Sequence, residues 1–182
     1  MSKKEISLVS FGRFEKDFLE RLAKEVSAVF SVQVAVSAIY LDISPYFEAT
    51  RRQYDANKLL HLIHTEYTGD SLKTVGLFQV DLFIPILTYI FGQAIYNGSA
   101  GIVSVYRLKN EQYGLNENEK LLFERFKKVI IHELGHTFGL IHCHVPSCVM
   151  RSGTYVEDID QKKHSFCKKC QSKLSNSLSV FP

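Results

Sequence analysis

The amino-acid sequence predicts an α/β fold in a single domain spanning residues 1–182. Strand-like, helical and strand-like patterns follow one another in the first 41 residues, which is the order of a βαβ unit. Hydrophobic residues make up 46% of the chain, which is enough for one sizeable core. No internal repeat, linker or low-complexity segment divides the sequence, so we expect the chain to fold as one unit.

The first predicted unit joins two strands through an amphipathic helix. The runs ISLVSF (6–11) and VQVAVSAIYL (32–41) are apolar and rich in β-branched residues, which favours buried strands. Between them, in residues 15–30, apolar side chains recur at spacings of four and three from Phe18 to Val29. Consecutive strands joined by a helix normally pair in parallel through a right-handed crossover, so we expect the sheet to start here.

Three further elements are predicted in the middle of the chain. An apolar stripe indicates a helix from about Asp55 to Tyr67, and KTVGLFQV (73–80) is typical of a third strand. The step Asn97-Gly98 stands between two strand-like runs. Because Asn-Gly suits the tight turn of a two-stranded hairpin, we expect antiparallel strands on either side of it.

The uncharged stretch from Leu82 to Tyr106 is long enough to raise the question of a membrane span. Pro85 and several Gly, Asn and Ser residues interrupt it, so we interpret it as buried strands joined by turns. The N-terminus begins with basic residues but lacks the long apolar run of a signal peptide. These features predict a cytoplasmic protein with no membrane partner.

The charge balance gives little reason to expect a nucleic-acid partner. The chain has 22 basic and 19 acidic residues, a formal net charge of +3, spread along its length. A basic run, QKKHSFCKKCQSK (161–173), contains a single aromatic residue, so we interpret it as a solvated face rather than a nucleic-acid-binding ribbon. We expect a monomer without a nucleic-acid partner.

The longest helical pattern leads into the most informative part of the sequence. Asn116, followed three residues later by a glutamate, suggests a capping box and a helix starting near Glu117. Gly139 is the expected end of this helix, since glycine adopts the left-handed conformation without steric cost. Residues 140–182 look loop-rich and poor in apolar periodicity. We therefore expect a small C-terminal subdomain after an N-terminal one of about residues 1–139.

The segment HELGHTFGLIH predicts a metal site with an open coordination position. His132 and His136 are four residues apart on the helix, so both imidazoles can reach one ion at about 2.0–2.1 Å. His142 supplies a third ligand if the chain turns sharply at Gly139. Glu133, between the two ligands, can take a proton from a zinc-bound water and return it to a leaving amine. The alternative is a histidine-rich surface helix that binds nothing.

These residues carry a resemblance to a known family. HELGHTFGLIH matches the metzincin pattern H-E-x-x-H-x-x-G-x-x-H, and Met150 stands where that clan has its Met-turn methionine. The close continuation HELGHTFGLIHCHVPSCVM, followed by CKKC, resembles the archaemetzincins, as do RRQYDANKLL and FGQAIYNGSAGIVSVYRL. The resemblance implies a twisted mixed sheet with one antiparallel edge strand above the cleft, a backing helix and an active-site helix. For the edge strand, which pairs with an extended substrate, the candidate is Gly92 to Tyr96.

The resemblance also implies a second zinc ion, held by Cys143, Cys148, Cys167 and Cys170. The residue types support this reading, because Cys-x-x-Cys is a standard zinc half-site and four thiolates form a closed, structural site. Such a site would order the loop-rich tail. Disulfide pairing is the alternative, and it is disfavoured in a reducing compartment. His144, beside Cys143, is expected to be a loop residue.

The sequence as a whole predicts a zinc metallopeptidase with two zinc ions, one catalytic and one structural. Its expected partner is a peptide or protein substrate. The alternative is a catalytically weak or inactive two-zinc protein that binds peptides or a protein partner through the cleft. Ser152 bears on this choice, because several metzincins have there a tyrosine that assists the oxyanion. Tyr155 lies nearby in sequence. A further helical pair, His61 and His64, lacks an evident third ligand.

Overall fold

The structure is a computed structural model and describes residues 5–180. The strands are, in chain order, β1 (Ile6–Phe11), β2 (Val34–Ile39), β3 (Phe47–Glu48), β4 (Gln53–Asp55), β5 (Lys73–Phe78), β6 (Leu82–Phe83), β7 (Gly92–Ala94) and β8 (Ala100–Ser104). The α-helices are α1 (Lys16–Phe30), α2 (Ala56–Leu62), α3 (Glu119–Thr137), α4 (Val156–Gln161) and α5 (Lys168–Ser179). Short 3₁₀ turns occur at Ser44–Tyr46, Tyr106–Leu108 and Asn110–Tyr113, and a π-helical turn occurs at Ile63–Tyr67.

A five-stranded mixed sheet forms the centre of the molecule, with strand order β2–β1–β5–β8–β7. Strand β1 pairs in parallel with both β2 and β5, and β5 pairs in parallel with β8. Strand β7 pairs antiparallel with β8 and lies at the edge of this sheet. The predictions of a parallel βαβ start, a hairpin at Asn97-Gly98 and an antiparallel edge strand are therefore confirmed. A small second sheet has the order β3–β4–β6.

Helices pack on the large sheet through two apolar clusters. Helices α1 and α3 contribute to the larger cluster, which includes the fully buried Phe126, Ile130 and Leu134 of α3. Helix α2 contributes to the smaller cluster with Phe78 and Ile102. The burial of α3 on several sides fixes its position against the sheet, and the site described below lies at its C-terminal end.

The start of α3 differs from the predicted one. The N-cap is Asn118, whose side-chain oxygen accepts a hydrogen bond from the backbone N–H of Leu121 at 2.9 Å. The backbone carbonyl of Asn116 instead accepts a bond from Asn110 at 3.0 Å, so Asn116 belongs to the preceding loop. Glu119 is the first helical residue and does not complete a capping box. The predicted start near Glu117 was wrong because two asparagines at alternate positions offer equivalent local caps.

The tail after Gly139 contains more regular structure than predicted. It forms α4 and the twelve-residue helix α5, and its Val149, Ile159 and Leu174 are buried in the larger core cluster. The expectation of a loop-rich tail was wrong in this respect. Few apolar residues are needed here because each is inserted into a core that the rest of the chain already provides.

The uncharged stretch at 82–106 contains β6, β7 and β8, as predicted. Throughout residues 5–180, every helix is too short or too polar to cross a lipid bilayer.

Candidate active site

Three histidines meet at the C-terminal end of α3. His132 and His136 lie four residues apart on the helix, and their Nε2 atoms are 3.1 Å apart. His142 joins them from the segment after the helix, with ring centroids 5.3 Å from His132 and 4.9 Å from His136. The ligand atoms of all three lie within 4.8 Å of one another. His132 is buried, His136 is half-buried and His142 is exposed, so the group opens to solvent on one side.

The hydrogen bonds of these histidines suit metal binding. His132 Nδ1 lies 2.8 Å from the carbonyl oxygen of Val149, and His136 Nδ1 lies 2.7 Å from that of Leu140. A carbonyl can only accept, so each Nδ1 carries the proton and each Nε2 presents a lone pair. Two nitrogens bound to one tetrahedral ion at 2.0–2.1 Å lie about 3.3 Å apart, close to the separation of the two Nε2 atoms. Burial lowers the pKa of all three imidazoles, which favours the neutral, ligating form.

A sharp turn after α3 brings His142 back to the helical pair. Gly139 has φ +82°, in the left-handed region, as the sequence predicted. The carbonyl oxygen of His136 accepts hydrogen bonds from the N–H groups of Asn97 at 2.9 Å and Gly139 at 3.0 Å. The Lys73 ammonium donates to the carbonyl of Thr137 at 2.8 Å. The last carbonyls of the helix are therefore satisfied, and the turn has a defined geometry.

Glu133 is buried between α3 and the β7–β8 hairpin. Its side chain is 6% exposed. A Cβ atom added to Gly92 would lie 2.9 Å from Glu133 Oε1, so only glycine leaves room for the carboxylate there. Burial raises the pKa of Glu133 to about 8, and the positive charge of Lys162 opposes that rise. A carboxyl group with such a pKa can both accept and donate a proton near neutral pH.

Met150 is fully buried and packs against Gly135 of α3, which stands between His132 and His136 in the sequence. A Cβ atom on Gly135 would overlap the Met150 sulphur, so the glycine within the HELGH segment permits the close contact. The carbonyl of Met150 accepts a hydrogen bond from Cys143 N–H at 2.9 Å, and its neighbour Val149 holds His132. The methionine thus supports the histidine group through packing and through adjacent backbone contacts.

A cleft with a cavity of about 690 Å³ runs past the histidines. One wall is formed by residues 87–94 with Tyr96, and includes β7. The other is formed by residues 152–155 with Ile159 and Lys162. Val129, His132, Glu133 and His136 of α3 also line it. Ser152 and Tyr155 both lie in the second wall, and the Tyr155 side chain is 64% exposed.

Lys162 is a cleft residue that the sequence analysis missed. It was grouped with the basic run at 161–173 and interpreted as part of a solvated face, which was wrong for this residue. Lys162 is only 5% exposed, and its ammonium donates to the Arg151 carbonyl at 2.8 Å. Burial lowers its pKa to about 8, and the charge of Glu133 opposes that change. Its position immediately after α4, which packs on α3, carries no signal in the local sequence.

The four cysteines form a second compact group. Their sulphur atoms lie within 4.8 Å of one another, and all four are free thiols. Cys143 Sγ and Cys167 Sγ are 3.7 Å apart. Two thiolates bound to one tetrahedral ion at about 2.3 Å lie about 3.8 Å apart, so this spacing fits a four-thiolate metal site. The backbone N–H of Cys170 lowers the pKa of the Cys167 thiol, which favours a ligating thiolate, whereas burial raises the pKa of the Cys148 and Cys170 thiols in the metal-free structure.

The remaining candidate histidines lie elsewhere on the surface. His61 and His64 are exposed on the second helix and π-helical turn, and His64 Nδ1 lies 3.1 Å from Ser99 Oγ. His144 is exposed in the loop between the first two cysteines. Within residues 5–180, neither the pair nor His144 belongs to a cluster of three or more possible metal ligands.

The chain is similar to known proteins over nearly all its length. The family model described as peptidase family M54 matches residues 7–176. An archaemetzincin of Saccharolobus islandicus is 33% identical over 179 residues, which cover 97% of this chain and 96% of the relative. An archaemetzincin of Thermococcus kodakarensis is 42% identical over 110 residues, which cover 60% of this chain and 59% of the relative.

Solved structures share the fold. The crystal structure of an archaemetzincin from Methanopyrus kandleri matches with a TM-score of 0.85 and 33% identity, covering 97% of this chain and 96% of that one. The crystal structure of a zinc-dependent peptidase from Methanocorpusculum labreanum matches with a TM-score of 0.82 and 30% identity, covering 93% and 99%. The chain therefore shares its overall fold with these proteins.

Proposed function

The chain belongs to peptidase family M54, the archaemetzincin family of zinc metallopeptidases, and from this we propose that it hydrolyses peptide bonds with Glu133 as the general base. The convergence of His132, His136 and His142 beside a buried Glu133 is the observation that carries the proposal. Three imidazole nitrogens leave one position of a tetrahedral ion open, which is the arrangement of catalytic rather than structural zinc sites.

The three histidines would hold the catalytic zinc through nitrogen lone pairs, with Nε2 in His132 and His136. A zinc ion bound there would lower the pKa of a coordinated water toward about 7 and polarise the substrate carbonyl. The carbonyls of Val149 and Leu140 keep two of the rings oriented and in the required tautomer, since each accepts the Nδ1 proton.

Glu133 would move the proton during hydrolysis. Its carboxylate accepts a proton from the attacking water, and the resulting carboxylic acid donates that proton to the leaving amine. Burial raises the pKa of Glu133 in the metal-free structure, and a zinc ion on the neighbouring histidines would oppose that rise, so the group is suited to exchanging a proton near neutral pH. Burial beside Gly92 limits its motion and keeps it directed at the cleft.

The substrate main chain would pair with the edge of the sheet. The carbonyl of Phe91 and the N–H of Ile95 bond to β8, at 2.9 Å in each case. Because successive residues of a strand turn their polar groups to opposite sides, Gly92 and Ala94 direct theirs away from β8. An extended peptide can bond to these groups while it lies in the cleft, which is addition of a strand to a sheet edge.

The four cysteines would hold a second, structural zinc. Their thiolates leave no open position for a substrate, and they connect the segment at Cys143–Cys148 with the start of α5 at Cys167. Met150 and Lys162 both lie between those two attachments in sequence, so the ion would fix the part of the chain that supports one wall of the cleft. Cytoplasmic location and monomeric state stay predictions from the sequence.

The peptidase proposal is tested by comparing zinc-loaded wild type with Glu133→Gln on a fluorogenic peptide library. The variant keeps the shape of the side chain but cannot act as the base, so we expect kcat to fall about 10²–10⁴-fold. Glu157→Gln, which changes an exposed carboxylate in α4 outside the cleft, is the matched control and should cleave like wild type.

Equal cleavage by wild type and Glu133→Gln would refute the general-base role. If the wild type binds peptides but cleaves none, the chain is instead the catalytically inactive two-zinc binding protein that the sequence left as an alternative. Metal analysis of both proteins, with two zinc ions expected per chain, verifies that the comparison is made on loaded protein.

A further inference from the structure

Lys162 places a positive charge inside the cleft, away from bulk solvent. The side chain is 5% exposed and lines the same cavity as Glu133 and the three histidines. Burying an ammonium group is costly unless an anion or several hydrogen-bond acceptors surround it. The groups around Lys162 therefore indicate which kind of ligand the cleft binds.

The bonding capacity of Lys162 is only partly used. An ammonium has three N–H donors, and in the described part of the chain the Lys162 ammonium has one hydrogen bond, to the Arg151 carbonyl at 2.8 Å. No carboxylate among residues 5–180 lies within ion-pair distance of it, and the more distant charges of Glu133 and Asp158 favour its protonated form. Lys128, a buried lysine on α3 outside the cavity, contrasts with it because its ammonium donates to the carbonyls of both Ile159 and Asp160.

The charges around the cavity favour an anionic ligand. Among the described residues that line the cavity, the ionisable ones other than histidines and tyrosines are Lys162 and Glu133. A divalent ion on the histidines would leave the cavity with a net positive charge. In a site sheltered from water, such a charge is compensated best by a carboxylate that enters with the substrate.

The position of Lys162 points to a side chain of the substrate rather than its main chain. Lys162 lines the cavity together with residues 152–155 and Ile159, whereas β7 lines it together with the rest of residues 87–94. Successive side chains of an extended peptide point to opposite faces, so a peptide on β7 can direct one side chain towards Lys162. Val129 and Ile159 also line the cavity and provide apolar contacts for the methylene groups of that side chain.

We propose that Lys162 determines specificity by pairing with the carboxylate of an aspartate or glutamate side chain next to the cleaved bond. This inference rests on the proposed peptidase function and adds a substrate class to it. A neutral side chain at that position accepts less strongly from the two N–H donors of the buried ammonium that have no acceptor in the described part of the chain, which disfavours binding.

The test uses pairs of peptides that differ only by Glu or Gln at one position, scanned across the cleaved bond. For zinc-loaded wild type we expect kcat/KM to favour Glu at one position by about 10–100-fold, as for a hydrogen bond to a charged group. Lys162→Met, with a side chain of similar length, should bring that ratio close to one while the Gln peptide is still cleaved. Lys162→Arg should keep the preference.

Two further proteins keep the result interpretable. Lys128→Met removes a buried lysine that contacts the same α4 segment but does not line the cavity, and it should retain the Glu preference. Lys162→Gln replaces Lys162→Met if the latter fails to melt cooperatively. If a folded Lys162 variant cleaved the Glu and Gln peptides more slowly by the same factor, the proposal would be overturned. Lys162 would then act on the reacting groups, which the two peptides share, and not on the side chain that differs.

Equilibrium binding separates this inference from the peptidase proposal. Zinc-loaded Glu133→Gln should bind the Glu peptide more tightly than the Gln peptide by a similar factor, and the added Lys162→Met change should remove the difference. That result would support the role of Lys162 even if the wild type cleaved no peptide. A lack of cleavage would refute only the proposal that the protein is a peptidase. Equal binding of Glu and Gln peptides at every position would refute the role of Lys162.

Discussion

Replacement of Gly92 by alanine tests how closely the β7 backbone confines Glu133. The new Cβ atom would lie 2.8 Å from the Ile102 carbonyl oxygen and 2.9 Å from Glu133 Oε1. The Ile102 carbonyl belongs to β8 and cannot shift without disturbing the sheet, so the new atom strains the β7–β8 pairing and also forces the carboxylate to move. To restore an ordinary contact of about 3.4 Å or more between the new Cβ atom and Glu133 Oε1, the carboxylate must move by roughly half an ångström or more.

Both activity and stability should respond. A misplacement of about 1 Å at a reacting group can cost about 10²-fold in rate, so we expect kcat/KM to fall roughly 10–100-fold. Overpacking costs about 1–3 kcal/mol, and the lower chain entropy of alanine offsets about 0.5–1 kcal/mol of that. Together these ranges leave a net loss centred near about 1 kcal/mol, which corresponds to a melting temperature lower by roughly 2–4 °C for a chain of this size.

The assay compares peptide cleavage and thermal unfolding of the variant with those of Gly101→Ala. Gly101 lies on the partner strand, and a Cβ there would make only ordinary contacts, at 3.5 Å to Ala94 and 3.7 Å to Glu133 Cβ. Gly101→Ala should therefore be nearly neutral. Wild-type cleavage and an unchanged melting temperature in Gly92→Ala would refute the argument that this glycine makes room for the carboxylate.

Three further predictions concern the supports of the site. Gly135→Ala should lower the melting temperature and weaken zinc binding, because its Cβ overlaps the buried Met150 sulphur. In the double variant Gly135→Ala/Met150→Ala, the loss of stability should be smaller than the sum of the losses in the two single variants. Additive losses would argue against the contact. Cys167→Ser should remove one zinc ion per chain by metal analysis and lower the melting temperature; an unchanged melting temperature would contradict a structural ion. In metal-free protein, the pKa of Glu133 is about 8 in the folded state and near 4.5 in the unfolded state. Between these two pH values the folded protein holds a proton on Glu133 that the unfolded protein releases. Its contribution to the unfolding free energy should fall as pH rises from about 4.5 to 8, and Glu133→Gln should lose that fall in a comparison of denaturation curves.

The sequence by itself determined the features that depend on short spacings. The separation of His132 from His136 by one helical turn sets their imidazoles on one face, whatever the rest of the fold does. Gly139 similarly determines the left-handed turn that returns the chain to the helix. The apolar, β-branched runs of the two strands and the helical spacing of apolar residues between them predicted the βαβ start, because both patterns follow from local backbone geometry. Resemblance to a known family supplied the antiparallel edge strand.

Only the tertiary structure decided which distant residues surround the site. Gly92 lies beside Glu133 because the order of strands brings β7 against α3, and a separation of 41 positions carries no local signal. Lys162 looks like its solvated neighbours in the sequence, yet α4 packs on α3 and turns this lysine into the cleft. The tail helices were missed for the same reason, since a few apolar residues suffice when the core they enter is provided by other elements. Local periodicity specifies the faces of helices and strands, whereas burial and charge pairing between them depend on how those elements pack.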